Sequence, residues 1–287
     1  MIFLLIALLI AIGSARSLLR AICIKKDNVS PVFASAVFLA VPGCFVALYS
    51  LAFLEIDFSA AARALPYTLI TIPCFFIGTA LQLKALKQVE ASLSTIVGEI
   101  VTLAGLVAFA YLFLNETLFG WQWLGFVCLT AGIFLTHSVG RRHADLAKGL
   151  SYLSLGSVLT AMGLIVDKMI LDLGGVGTFL FVSPGIICLA SIIFYYAWQR
   201  WHKSPLKPPA GSIRWAALLG TAALGTVSLY IYIVTLDTLD NIAYVNVATS
   251  FTIVLSVILA VLFFKEFTDF KIKLAGLAIA ITGLVLL

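Results

Sequence analysis

The sequence predicts an all-α integral membrane protein whose ten transmembrane helices form two inverted five-helix repeats. Three observations carry that expectation: an apolar composition, apolar runs of bilayer length with little between them, and basic residues concentrated at alternate connections. Of the 287 residues, 62% are apolar and only 11% are charged, and the mean hydropathy is +1.14. A soluble domain carries about 25% charged residues, so most of this surface must meet lipid. The chain leaves no room for a separate soluble domain.

A hydrocarbon core of about 30 Å takes roughly 20 apolar residues of helix. Runs of that order occupy 2–22, 31–54, 66–86, 91–114, 120–138, 149–170, 176–198, 213–235, 242–264 and 270–287. They are continuous, without the alternation of barrel strands. The first lacks a basic leading segment and a small-residue cleavage site, so it is expected to remain as a span. Cys23, Cys44, Cys74, Cys128 and Cys188 lie in or beside these runs with no CxxC pair and no metal-ligand spacing. They read as small apolar packing residues, and no metal or other cofactor is expected.

The net charge of +5 reads as topology rather than as a nucleic-acid surface. Sixteen of the 18 Lys and Arg residues follow spans 1, 3, 5, 7 and 9, and only Arg63 and Lys168 fall on the other side. The positive-inside rule makes those connections cytoplasmic and places both termini outside. Trp121, Trp123, Trp198, Trp201 and Trp215 fall near span ends, as interfacial aromatic belts do.

The chain also resembles itself. Ala110-Tyr-Leu-Phe-Leu-Asn-Glu116 is similar to Ala260-Val-Leu-Phe-Phe-Lys-Glu266, and Gly125 and Gly132 match Gly276 and Gly283 with a one-residue shift. Each glycine pair is seven residues apart, on one helix face, where it permits close helix contact. Spans 2 and 7 each carry a Pro-Gly step, Pro42-Gly43 and Pro184-Gly185. A five-span unit is odd-numbered, so the second copy enters the membrane in the opposite sense. The expected units are a first repeat at 1–138, a linker at 139–148 and a second repeat at 149–287. Inverted repeats are characteristic of secondary transporters, with the substrate site at the midplane between the halves.

On these residues the sequence resembles the drug/metabolite transporter superfamily, specifically its ten-helix EamA-type members. The resemblance spans both halves and is clearest in 82–132 and 232–283. It implies carriage of amino acids, nucleotide sugars, amines or other metabolites, often with protons. Two features depart from the family pattern. Spans 4 and 9 lack the proline that many relatives carry there, and the charge distribution places the termini outside rather than in the cytoplasm.

Polar residues inside spans are costly and face the bundle interior, and their helical spacing marks the lining face. Ser92, Thr95, Glu99 and Thr102 share one face of span 4. Asn246, Thr249, Thr252 and Ser256 do the same in span 9, and Thr221, Gly225, Ser228, Tyr232 and Thr235 in span 8. Thr71, Gly78 and Gln82 mark span 3, Gly13, Arg16 and Arg20 span 1, and Ser157, Thr160 and Asp167 span 6. Spans 1, 3, 4, 6, 8 and 9 are thus expected to surround a polar cavity, while 2, 5, 7 and 10 show less. For any one Ser or Thr the alternative is a bond to its own helix carbonyl.

The expected substrate-binding residues are Glu99, Arg16, Thr95, Gln82, Tyr232, Ser228, Asn246 and Thr249. Glu99 stands roughly 12 Å into span 4 at 1.5 Å per residue. A charge near the bilayer centre costs about 2.5–3.5 kcal/mol on insertion scales, so Glu99 must be protonated, paired or facing water. Such a carboxyl suits a cationic group or a coupling proton; the alternative is a structural pair with Arg16 or Arg20. For the arginines the alternative to an anion contact is snorkelling to the interface. Asp167 and Lys168 read as a local interfacial pair, and Glu116 and Glu266 as conformational or capping residues.

No Walker A sequence, HExxH or GxSxG is found, and Gly174-Gly175-Val176-Gly177 follows no strand. The expectation is therefore a gradient-driven, non-enzymatic carrier of a small organic metabolite, amino-acid-like or an amine, working by alternating access in the cytoplasmic (inner) membrane. Its expected partners are the substrate, the lipid bilayer and protons, with no nucleic acid. A lipid flippase and a membrane-embedded lipid-modifying enzyme stay open as alternatives. Three scattered histidines argue against the enzyme.

Overall fold

The computed structural model describes residues 2–26, 29–114, 120–140, 144–202, 212–239, 245, 251–266 and 270–286. Among these residues the fold is helical, without strands. Helix α1 (Ile2–Ala21) runs into a π-helical turn at Ile22–Lys26. It is followed by α2 (Pro31–Phe53), α3 (Phe58–Leu86), α4 (Ala91–Phe113), α5 (Trp121–Gly140) and α6 (Ala144–His202). The chain ends in α7 (Ser212–Leu239), α8 (Thr252–Phe264) and α9 (Phe270–Leu286). Among the described residues, six helices are long and apolar enough to cross a membrane: α1 with its π turn, α2, α3, α4, α6 and α7. The outside of the bundle is apolar as well. Phe45, Leu69, Ile193 and Leu262 are each more than 60% exposed, a surface that lipid solvates and water does not.

Helix α6 covers 59 residues without lying straight. Gly175 has φ 69° and ψ −177°, a conformation that is essentially glycine's alone. Ser183 Oγ donates to Asp167 Oδ1 at 2.7 Å, although 16 residues of straight helix would hold the two about 24 Å apart. The chain therefore doubles back at Gly175 into two arms, α6a (144–174) and α6b (176–202). The tip is clamped from outside. Ser50 Oγ at the end of α2 donates to the Gly177 carbonyl, and the Asp57 amide donates to Thr178 Oγ1 at 3.0 Å. A methyl on Gly177 would collide with the Glu55 carbonyl, which is why the tip needs a second glycine.

Glycines set the helix spacing elsewhere too. A methyl on Gly78 of α3 or on Gly156 of α6a would fall within 3.0 Å of the other's carbonyl. Where α2 crosses α6b, Gly43 lies against the Pro184 carbonyl and Gly185 faces Ala47, so the two Pro-Gly steps meet. Helix α5 packs along α9 with Gly125, Gly132, Gly276 and Gly283 all buried.

Two boundaries differ from the sequence reading. Helix α3 starts at Phe58 rather than at 66, because Asp57 caps it. That carboxylate accepts from the Ser59 amide at 2.8 Å, the Ala60 amide at 3.1 Å and the Ser59 hydroxyl at 2.7 Å. The Ser59 hydroxyl, with the two amides, holds the Asp57 carboxyl below its ordinary value. The helix passes through Pro66 and Pro73 without ending. The expected linker at 139–148 is largely helical, with α5 reaching Gly140 and α6 resuming at Ala144. Of the expected span at 242–264, Val245 and Thr252–Phe264 are helical, and 242–244 and 246–250 lie outside the described residues.

Candidate functional site

A cavity of about 370 Å³ lies between the helices, within the range of small-molecule sites. Its polar wall is built from residues far apart in sequence. Arg16, Ser17 and Arg20 come from α1, Gln82 from α3, and Glu99 and Thr102 from α4. Thr160 and Asp167 come from α6a, Ser183 from α6b, Ser228 and Tyr232 from α7, and Thr252 from α8. An adjoining space of about 220 Å³ shares Arg20, Gln82 and Glu99 and adds Ser94 and Thr95.

The charges are concentrated where α1 faces α4. Arg16 and Arg20 are one turn apart and both lie within electrostatic reach of Glu99. Glu99 is solvent-accessible and borders both spaces, yet among the described residues it makes no hydrogen bond and no ion pair within 4.0 Å. Arg16 is similarly open: its Nε is buried and has no hydrogen-bond partner. Its guanidinium lies over Gly225 of α7, so that a Cβ there would sit 3.4 Å from Arg16 Cζ and 3.3 Å from the Pro42 ring. Arg20 is held more firmly by Gln82, whose Oε1 accepts from Nη2 at 3.4 Å. The Gln82 amide in turn donates to Thr160 Oγ1 at 3.1 Å, and Thr160 donates back to the Gly156 carbonyl at 2.9 Å. This chain of bonds joins α1, α3 and α6a across one side of the cavity.

Of the eight residues expected from sequence, Arg16, Gln82, Glu99, Ser228 and Tyr232 line the larger cavity. Thr95 lines the smaller one; its hydroxyl donates to the Ala91 carbonyl at 3.0 Å and lies 3.4 Å from Ser17 Oγ. Asn246 and Thr249 lie outside the described residues. Neither arginine snorkels, since both guanidiniums turn inward to the cavity.

The structure shares its fold with a protein solved by crystallography. The two superpose with a TM-score of 0.66 over 97% of this chain and 95% of the other, at 16% identity. At that identity the likeness concerns the fold alone. No family model and no curated relative matches the sequence.

Two sequence readings are corrected. Asp167 and Lys168 do not form a local pair: adjacent helical residues point about 100° apart. Lys168 Nζ donates to Asp172 Oδ1 at 2.6 Å, while Asp167 turns into the cavity toward Ser183. The second helix and α6b are also more than bystanders. They contribute Phe38, Pro42 and Gly43, and Ser183, Pro184 and Ile187, to the wall. Ser183 was hard to single out, being a lone hydroxyl in an apolar run; its one signal was the Pro-Gly step beside it.

Away from the cavity, Glu266 acts as a cap, though not for its own helix. Lys265 ends α8 in a left-handed conformation with φ 56° and ψ 40°, which costs a non-glycine residue roughly 1–2 kcal/mol. That bend sends Glu266 to the N-terminus of α4. There it accepts from the Ala91 amide at 2.8 Å, the Ser92 amide at 2.8 Å and the Ser92 hydroxyl at 2.9 Å. Lys25, carried by the π turn, completes the cluster at 2.9 Å. Burial alone would push the Glu266 carboxyl up, but the Ser92 and Ala91 amides and the Lys25 ammonium hold it below its ordinary value. Glu116, the other expected capping residue, lies outside the described residues.

Proposed function

We propose that this chain is a secondary transporter of a small organic metabolite, built as an EamA-like drug/metabolite transporter of ten spans in two inverted repeats and working in the cytoplasmic membrane. The observation that carries the reading is the cavity of about 370 Å³ in an otherwise lipid-facing bundle, lined in part by polar groups and with charged side chains left open to it. Buried charge without a structural partner is expensive in a membrane and marks a path for polar cargo. Arg16, Arg20 and Glu99 together suit a substrate bearing both an acidic and a basic group, such as an amino acid, with Gln82, Ser228 and Tyr232 as neutral contacts.

Packing supports the repeat. Exchanging each helix of the first half for its counterpart in the second exchanges α1 against α7 with α6a against α3. It also maps α2 against α6b, α4 against α8 and α5 against α9 onto themselves, and contacts join all of these elements. The meeting of the two Pro-Gly steps, where α2 crosses α6b, fits an axis relating the halves. Rocking of one half against the other would open the cavity to each side in turn.

The test is uptake into proteoliposomes across a panel of neutral amino acids, amines and organic acids, with and without an imposed proton gradient. Saturable uptake of one class, abolished by Glu99→Gln, is the expected result. Folded protein that moves none of them, or that scrambles labelled phospholipid instead, removes the reading in favour of another membrane function.

A further inference from the structure

The cavity wall holds two carboxylates in different surroundings. Glu99 stands within electrostatic reach of two guanidiniums, those of Arg16 and Arg20. Asp167 has no such company. From α6b it receives the Ser183 hydroxyl, and from α3 the Cys74 thiol is within its electrostatic reach. Helix α2 presents only Phe38, Leu39, Pro42 and Gly43 to the cavity. Lys168, next in the chain, turns to Asp172. Arg16 of α1, Glu99 of α4 and Tyr232 of α7 also border the space, but among the described residues no cation lies within 4.0 Å of Asp167. Asp167 is 8% exposed and Ser183 fully buried, and both border the cavity.

We propose that Asp167, hydrogen-bonded to Ser183, is the group that binds and releases the coupling proton, while Glu99, on the side of the cavity that holds the arginines, faces the substrate. This rests on the transporter reading above. An ionised carboxyl with one hydroxyl donor and no cation is costly in a bilayer interior, and a single proton removes that cost. The proton comes from water entering the cavity on one side of the membrane. An O–H bond forms at an Asp167 carboxyl oxygen and breaks again when the cavity opens to the other side, returning the proton to water.

The partner gives the proton a mechanical consequence. Toward a carboxylate, Ser183 must donate; toward a carboxylic acid, its oxygen can accept. Ser183 directly precedes Pro184, whose carbonyl touches Gly43 at the crossing of α2 and α6b. Protonation is thereby read out where the two Pro-Gly steps meet.

Infrared difference spectroscopy of the full chain in lipid nanodiscs, titrated with acid and base across neutral pH, tests this without any substrate. A titrating carbonyl band of a protonated carboxyl is expected in the wild type and in Glu99→Gln, and its loss is expected in Asp167→Asn. Ser183→Ala, which keeps the carboxyl, should move the titration midpoint by about one pH unit, since a hydrogen bond to a charged group is lost. A titrating band that survives in folded Asp167→Asn, or an unmoved midpoint in Ser183→Ala, overturns the proposal. The uptake panel judges the transporter reading separately, because the spectra report protonation whether or not any solute moves.

Discussion

Glu266 and Glu99 are both acidic residues in an apolar chain, and they live in opposite circumstances. Glu266 meets two amides, a hydroxyl and an ammonium, every one within 2.9 Å. Glu99 meets open space and two guanidiniums beyond ion-pairing distance. The first arrangement uses up the carboxylate's hydrogen-bonding capacity in tying α8 and the π turn to α4. The second leaves that capacity unspent. A satisfied carboxylate holds a structure together, and an unsatisfied one kept inside a membrane is available to something that comes and goes.

The contrast breaks first at Glu99. Glu99→Gln should cut transport more than tenfold while leaving the thermal unfolding midpoint within a degree or so, because no protein donor loses its acceptor. A large stability loss with transport intact would make Glu99 a structural residue like Glu266. The converse substitution comes next in size. Glu266→Ala leaves the Ala91 and Ser92 amides without their acceptor and Lys25 without its partner. A destabilisation of about 1–2 kcal/mol is expected from the lost cap alone, measurable as a lowered midpoint in detergent or nanodiscs. Stability unchanged from the wild type would mean that the cap does not hold the bundle.

A smaller effect sharpens the comparison from the cavity side. Arg16 is positioned by a gap: Gly225 leaves room for its guanidinium. Gly225→Ala introduces a methyl 3.3–3.4 Å from the Pro42 ring and Arg16. The arginine is the far end of a flexible chain and gives way, so a two- to fivefold rise in the half-saturating substrate concentration is expected, with folding unaffected. Kinetics identical to wild type would show that substrate ignores the exact place of Arg16.

Much of this arrangement was legible in the sequence, for reasons that can be stated residue by residue. The polar stripes on α1, α3, α4 and α7 obey the helical period, so Arg16, Gln82, Glu99, Ser228 and Tyr232 could be assigned to an inward face. The break at Gly175 was visible as a glycine cluster between two apolar runs. What escaped notice depended on tertiary partners. Asp167 beside Lys168 suggested a pair, because adjacency in sequence hides the roughly 100° between neighbouring helical side chains. Glu266 was recognisable as a capping residue, but the helix it caps begins 175 positions earlier, and no local pattern announces that. Its reach depends on a left-handed Lys265, a conformation that sequence does not favour for lysine.

The gentlest test of the comparison is acid. Glu266 has a carboxyl held below its ordinary value in the folded protein. A group depressed in this way contributes stability that is complete above its unfolded-state value and is lost as pH falls through the folded one. The loss should therefore begin only below about pH 4.3, the ordinary glutamate value. It should be smaller than that of Glu266→Ala, since a protonated carboxyl still accepts from an amide. Unfolding midpoints of wild type and Glu266→Gln, measured from neutral pH downward, isolate it. The gap between the two proteins should be constant above that range and narrow below it, as protonation turns the wild-type side chain into a neutral acceptor like glutamine. A gap that does not change with pH would mean that the charge of Glu266 contributes nothing, and that the amide bonds alone distinguish this carboxylate from Glu99.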